Sequence, residues 1–269
     1  MANIPEPKNE VELCERVIAM VAARLGAELK ITEHPDRDER NEEAVEMVCT
    51  SASGQSFAIE HTRIESFGGQ IGDGYAFSGL LEPLEAELEG RLPGRFSLTV
   101  AVGAAAGVKG AEYPKIRELV KEWVLAQADG LKDGSAVTAA PPRVPFPVTL
   151  SRRHSDASVL LISRFAPDDL ETKRQTRVQQ AIDRKYRKLA REKAKGRESI
   201  LILESNDIAL GNSGVVGDAV AKALATCPEA PDRVYLVETD GRPWYLYRLR
   251  EGADTYPNPR LHDYNTIEI

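Results

Sequence analysis

The stretch AVEMVCTSASGQSFAIEHTRI, residues 44–64, decides how the rest of the chain is read. AVEMVCT (44–50) and FAIEHTRI (57–64) are rich in residues that favour strands, and SASGQS between them supplies small polar residues and a glycine, so the stretch reads as a β-hairpin. Side chains alternate along a strand, which places Glu60 and Thr62 on one face and Ile59 and His61 on the other. An acid within each strand, Glu46 and Glu60, is a poor choice for a strand core. Two carboxylates on adjacent strands can converge on one hard cation, Mg²⁺ or Mn²⁺, whose charge offsets their repulsion. The same two acids also fit a solvated face of the sheet. His61, opposite Glu60, reads as a packed or hydrogen-bonded histidine, and no histidine has partners at zinc-ligand spacing.

Outward from the hairpin, residues 9–25 carry apolar side chains at spacings of three and four, an amphipathic helix. A short strand (28–33) and a polar stretch opening on Pro35-Asp36 follow. Beyond the hairpin, FGGQIGDGYAF (67–77) lacks the spacing of a dinucleotide-binding loop and is expected to be a mobile loop beside the site, with Gln70 its notable polar residue. Helices are expected near 80–92, 114–127, 168–195 and 214–226, and strands at 96–103, at 199–205 and on either side of Asp240-Gly241. Two further β-like runs flank RRHSDAS (152–158). The alternation predicts an α/β fold with a mixed β-sheet flanked by helices. AAPPRVPFPV (139–148) is taken as an internal loop, so that 1–269 forms a single α/β domain.

The chain of 269 residues has a net charge of −7, which argues against a protein that coats nucleic acid through overall charge. The distribution is uneven: eleven basic residues and two acidic ones lie between Lys173 and Arg197. The two acids cannot neutralise that helix through i,i+4 pairs, so Lys173, Arg174, Arg177, Arg184, Lys185, Arg187 and Lys188 are expected to meet a phosphate backbone without regard to sequence. No stretch is apolar enough to span a membrane, the N-terminus lacks a signal-peptide pattern, and three scattered cysteines form no disulfide framework. A cytoplasmic protein with no membrane partner is expected.

At Pro35-Asp36, Glu46 and Glu60-His61-Thr62 the sequence resembles the PD-(D/E)XK nuclease superfamily, over roughly the first 75 residues. The resemblance implies a restriction-endonuclease-like core with insertions and Mg²⁺- or Mn²⁺-dependent hydrolysis of DNA phosphodiester bonds. It makes Glu60 the second metal-binding acid and Glu46 or Asp36 the first, with Glu12 or Glu15 as an assisting acid on the N-terminal helix. Thr62 stands where the family usually has the lysine that orients and activates the attacking water, and a hydroxyl cannot replace that positive charge. A lysine from elsewhere, such as Lys109 or Lys173, would then have to reach the site. The alternative is a noncatalytic nucleic-acid-binding or assembly protein on the same fold.

Overall fold

A computed structural model describes residues 10–38, 44–155, 157–166, 168–240, 243–261 and 264–267. The elements begin with α1 (Glu10–Leu25), β1 (Leu29–Glu33), the single turn α2 (Pro35–Asp38), β2 (Met47–Ser51) and β3 (Ser56–Arg63). Next are α3 (Gln70–Leu80), α4 (Pro83–Leu88), β4 (Arg95–Ala101), α5 (Tyr113–Ala128), β5 (Ala136–Ala139), β6 (Val148–Arg153) and β7 (Val159–Phe165). The chain ends with α6 (Leu170–Ala194), β8 (Glu198–Ser205), the single turn α7 (Ile208–Gly211), α8 (Ser213–Ala225), β9 (Arg233–Glu238), β10 (Trp244–Glu251), β11 (Asp254–Thr255) and β12 (Tyr264–Ile267). The architecture is α/β with mixed sheets flanked by helices.

The described residues divide into two compact units, 1–67 with 171–269 and 68–170, where the sequence is read as one domain. The second unit is an insertion in sequence between β3 and α6. The Pro-rich stretch lies inside it, connecting the antiparallel neighbours β5 and β6.

The first unit is built on a sheet in the order β1-β2-β3-β8-β9-β10-β11, with β12 also paired to β10. β3, β8 and β9 run parallel, and the outer pairs are antiparallel. The β2–β3 hairpin closes as the sequence predicts: Ser51 N–H donates to the Gln55 carbonyl at 2.8 Å, and Gly54 takes a φ of 84° that favours glycine. Strand alternation then makes two cores. Val48, Ala58, Leu201, Leu203 and Leu236 pack under α6 and α8, while Cys49, Phe57, Ile59, Ile200 and Ile202 pack against α1. On α6 the buried apolar stripe is Val178, Ala181, Ile182 and Leu189. Arg174 and Lys185 fall on that same stripe at helical spacing.

The second unit has a sheet in the order β5-β6-β4-β7, with β4 and β7 parallel, over a core of Leu80, Leu84, Phe96, Leu98, Val120 and Leu150. Here the glycine-rich segment departs from the expected loop. After Gly69, at φ 84°, residues 70–80 form α3 and bury Gln70, Asp73, Ala76, Phe77 and Leu80 along one side. Asp73 explains the helix's fit: Oδ1 accepts the Gly103 N–H at 2.9 Å and Oδ2 accepts from Arg164 at 3.2 Å. Asp73→Ala leaves the Gly103 amide without this acceptor and deletes a buried charge from an ion pair. It should lower unfolding stability by about 2–4 kcal/mol, read as a lower urea midpoint with an unchanged m-value.

Candidate functional site

Glu60 and His61 are consecutive residues of β3, so their side chains go to opposite faces of the sheet, and both are buried. Glu60 is fully covered on a strand flanked by β2 and β8. A lone ionised carboxylate in that position costs several kcal/mol unless it is paired. Lys185 of α6 provides the partner: its Nζ donates to Glu60 Oε2 at 2.5 Å and to Glu46 Oε1 at 2.8 Å. Lys188, nearly one turn further on, lies 3.4 Å from Glu60 Oε1 and donates to the Ala44 carbonyl at 2.9 Å.

Glu46 reaches the site because β2 begins only at Met47, opposite Ile59. Beyond that pair the Glu46 carboxylate takes the role of a strand neighbour, and its Oε2 accepts the His61 backbone N–H at 2.8 Å. Thr62, on the Glu60 face, accepts a hydrogen bond from Arg184 at 3.2 Å. Helix α6 therefore brings both a lysine and an arginine to the strand whose own sequence offers a threonine.

These contacts set the protonation states. Burial raises the Glu60 pKa, Lys185 opposes it and the nearby Glu46 adds to it, with a result of about 7. Burial alone would pull the Lys185 ammonium down, but Glu46 and Glu60 outweigh it and hold its pKa above the ordinary lysine value. On the opposite face, His61 Nε2 lies 3.1 Å from Glu204 Oε2 and Nδ1 lies 3.4 Å from Glu10 Oε1. Burial disfavours the imidazolium, yet Glu10 and Glu204 prevail and the His61 pKa rises to about 9. Glu204, which also accepts from Arg63 at 3.1 Å and from Thr239 at 3.0 Å, is held below the ordinary carboxylate value against the opposing effect of burial.

The structure thus brings together Glu46, Glu60 and Thr62 of the expected set, and the reading of both acids as solvated is set aside by Glu60's burial. Asp36 donates its backbone N–H to the Val45 carbonyl at 3.2 Å, next to Glu46, and its Oδ1 is buried without a hydrogen-bond partner. Its carboxylate does not share in the contacts of Lys185. The lysine that reaches the acids is Lys185 rather than Lys109 or Lys173. The α1 acid that reaches the β3 segment is Glu10, since Glu12 pairs with Arg16 at 2.6 Å and Glu15 is exposed. Glu10 and Glu204 escape a search for a motif; Lys185 is signalled in sequence by its place on the apolar stripe of α6.

The basic helix requires a correction of the same kind. Arg174 is buried, donates to Ser66 Oγ at 3.1 Å and to the Leu210 carbonyl, and pairs with Glu171 at 2.5 Å, so it holds the unit together instead of facing a ligand. Lys185 and Lys188 are spent on Glu46, Glu60 and Ala44. Arg177 is exposed and pairs with Glu65 at 2.8 Å. Neutralisation comes from acids on the strands and loops beneath, which i,i+4 counting along the helix ignores. Lys173, Arg184 and Arg187 remain on the exposed side.

Among the described residues no helix is long and apolar enough to cross a membrane. Comparison with protein-family models, curated proteins and solved structures finds no match to this chain.

Each of these shifts fixes the sign of a pH dependence of stability. Folded His61 keeps its proton to about pH 9 against an ordinary value of 6.5, so the stability it confers is complete below 6.5 and is lost as pH rises through 9. Folded Glu60 keeps a proton that the unfolded chain releases near pH 4.5, so stability also falls between pH 4.5 and 7. Glu10 and Glu204 act in the opposite sense, their contribution being lost as pH falls below 4.5 through their lowered values. The melting temperature should therefore peak near the acid end of this range and decline toward pH 9. In His61→Gln the decline between pH 6.5 and 9 should largely flatten, whatever the substitution does to the melting temperature at any single pH.

Proposed function

We propose that this chain is a divalent-metal-dependent nuclease-like protein that hydrolyses DNA phosphodiester bonds at the Glu46–Glu60–Lys185 site. The observation that carries the reading is Lys185, which reaches both hairpin acids from α6 while Thr62 occupies the position of the motif lysine. The resemblance at Asp36, Glu46 and Glu60 supports it. So does the element order α1-β1-β2-β3 followed by α6 and a β8 parallel to β3, which is compatible with a restriction-endonuclease-like core carrying residues 68–170 as an insertion. Free thiols at Cys14, Cys49 and Cys227 favour a reducing, cytoplasmic location.

The carboxylates of Glu46 and Glu60 lie together on Lys185 and supply the oxygen donors that a hard cation takes. Glu46 and Glu60 would hold Mg²⁺ or Mn²⁺, which lowers the pKa of a bound water and neutralises phosphate charge, while the Asp36 carboxylate does not gather with them. Lys185 keeps a positive charge between the acids and fixes the orientation of both carboxylates. Arg184 holds the Thr62 hydroxyl and, with Arg187, presents cationic charge along the exposed side of α6 to a phosphodiester backbone.

Purified chain incubated with single- and double-stranded DNA should cut only with Mg²⁺ or Mn²⁺. Glu60→Gln and Lys185→Met should each reduce cutting by about 100-fold or more. The pair Arg184→Ala and Arg187→Ala should instead weaken DNA binding and lower the slope of log affinity against log salt by roughly 2. DNA left uncut with either metal, with binding retained, would convert the reading to the noncatalytic nucleic-acid-binding alternative. Cutting that survives Glu60→Gln would place the chemistry elsewhere.

A further inference from the structure

Around His61, on the face of the sheet opposite Glu60, lies a second set of donors that shares only Glu46 with the nuclease reading. His61 is 1% exposed, and its Nδ1 faces Glu10 Oε1 at 3.4 Å without a well-formed hydrogen bond. One ligand atom from each of Glu10, Glu46 and His61 lies within 4.8 Å of the other two. The three come from different elements: Glu10 from the first turn of α1, Glu46 from the residue before β2, and His61 from β3. Glu10 is 70% exposed, so the group opens to solvent on the α1 side.

The surroundings of His61 distinguish this group from a chance gathering of acids. Its Nε2 faces Glu204 Oε2 at 3.1 Å, and Glu204 is itself held by Arg63 and by the Thr239 hydroxyl. A carboxylate behind an imidazole fixes the ring's orientation and keeps a proton on Nε2, so that a metal ion taken up beside Glu10 would displace the Nδ1 proton of the imidazolium. Imidazole is a borderline donor that suits Zn²⁺ and its first-row neighbours, while Mg²⁺ takes oxygen donors almost alone.

We propose that Glu10, Glu46 and His61 form a transition-metal site, selective for Zn²⁺ or Co²⁺ over Mg²⁺, with Glu204 positioning His61 from behind. Three protein ligands leave a coordination position for water. The site shares Glu46 with the acids on the Lys185 side but does not require the nuclease reading.

Calorimetric titration of the metal-free full chain with Zn²⁺, and visible absorption on titration with Co²⁺, test it. One tight equivalent of Zn²⁺ is expected, together with Co²⁺ bands of a nitrogen- and oxygen-ligated ion and no comparable uptake of Mg²⁺. His61→Gln should remove the tight equivalent, and Glu10→Gln, at an exposed position where folding is not at stake, should weaken it about 10-fold or more. Glu204→Gln should weaken it by about 10- to 100-fold. Glu60→Gln, which disables the proposed nuclease site, should leave Zn²⁺ affinity within about two-fold. Absence of a tight equivalent, or a tight equivalent unaffected by Glu10→Gln in a folded variant, would overturn the proposal. Either result leaves the DNA-cutting test unaffected.

Discussion

A carboxylate with no solvent exposure on a strand between two others must be protonated or matched by a buried cation, and Glu60 is in that position. The two remedies operate together here. Burial, reinforced by the nearby Glu46, holds the Glu60 pKa up at about 7 against the Lys185 cation, which leaves a proton within reach near neutrality. The register of α6 follows from this constraint. Placing Nζ between the two acids fixes Lys185 on the inner side, and the residues one turn either way, Ile182 and Leu189, are then the ones that enter the apolar core. Polar pairing and hydrophobic burial thus select the same rotation of the helix. A pairing so well enclosed is weak evidence of net stability, since two desolvated charges return little more than they cost. What it does fix is the geometry of the two acids, each held by the same ammonium.

The uneven charge of the chain takes on a different meaning in this light. The excess of Lys and Arg between 173 and 197 is partly an internal counter-charge for acids that lie far away in sequence. Glu46, Glu60, Glu65 and Asp232 each pair with a basic residue of α6. The exposed side of the helix carries a narrower strip, with Arg184 and Arg187 at its centre. Such a strip is adjacent to the buried acids because both are consequences of one helix, inner side and outer side.

Much of the first unit was legible in residues 44–64. β-Rich runs on either side of a small polar turn fixed the hairpin, and alternation correctly put Glu60 with Thr62 and His61 on the far face. Lys185 is not marked by its charge, which it shares with every cation of the helix, whereas its spacing from Val178, Ile182 and Leu189 marks it as inward. Glu204 looked like the polar end of an apolar strand, and nothing local in SILILES indicates that a histidine more than a hundred residues earlier will meet it. The glycine-rich segment misled for a physical reason. Glycines carry no side chain to reveal a helical period, and two of the residues on the buried side of α3, Gln70 and Asp73, are polar, so the stripe does not register as hydrophobic.

Strand geometry also joins the two faces of the sheet. Consecutive residues cannot share a face, so Glu60 and His61 would ordinarily act independently. Glu46 removes that independence because it lies just past the first ladder pair of β2, where one carboxylate can accept the His61 amide through Oε2 and the Lys185 ammonium through Oε1. A shift in Glu46 would therefore be felt at Lys185 on one side and along the His61 backbone on the other. A more regular β2, extended by one residue, would satisfy the His61 amide with a backbone carbonyl and free Glu46 from that bond. The irregular start of β2 is what allows a single acid to tie the chemistry of one face to that of the other.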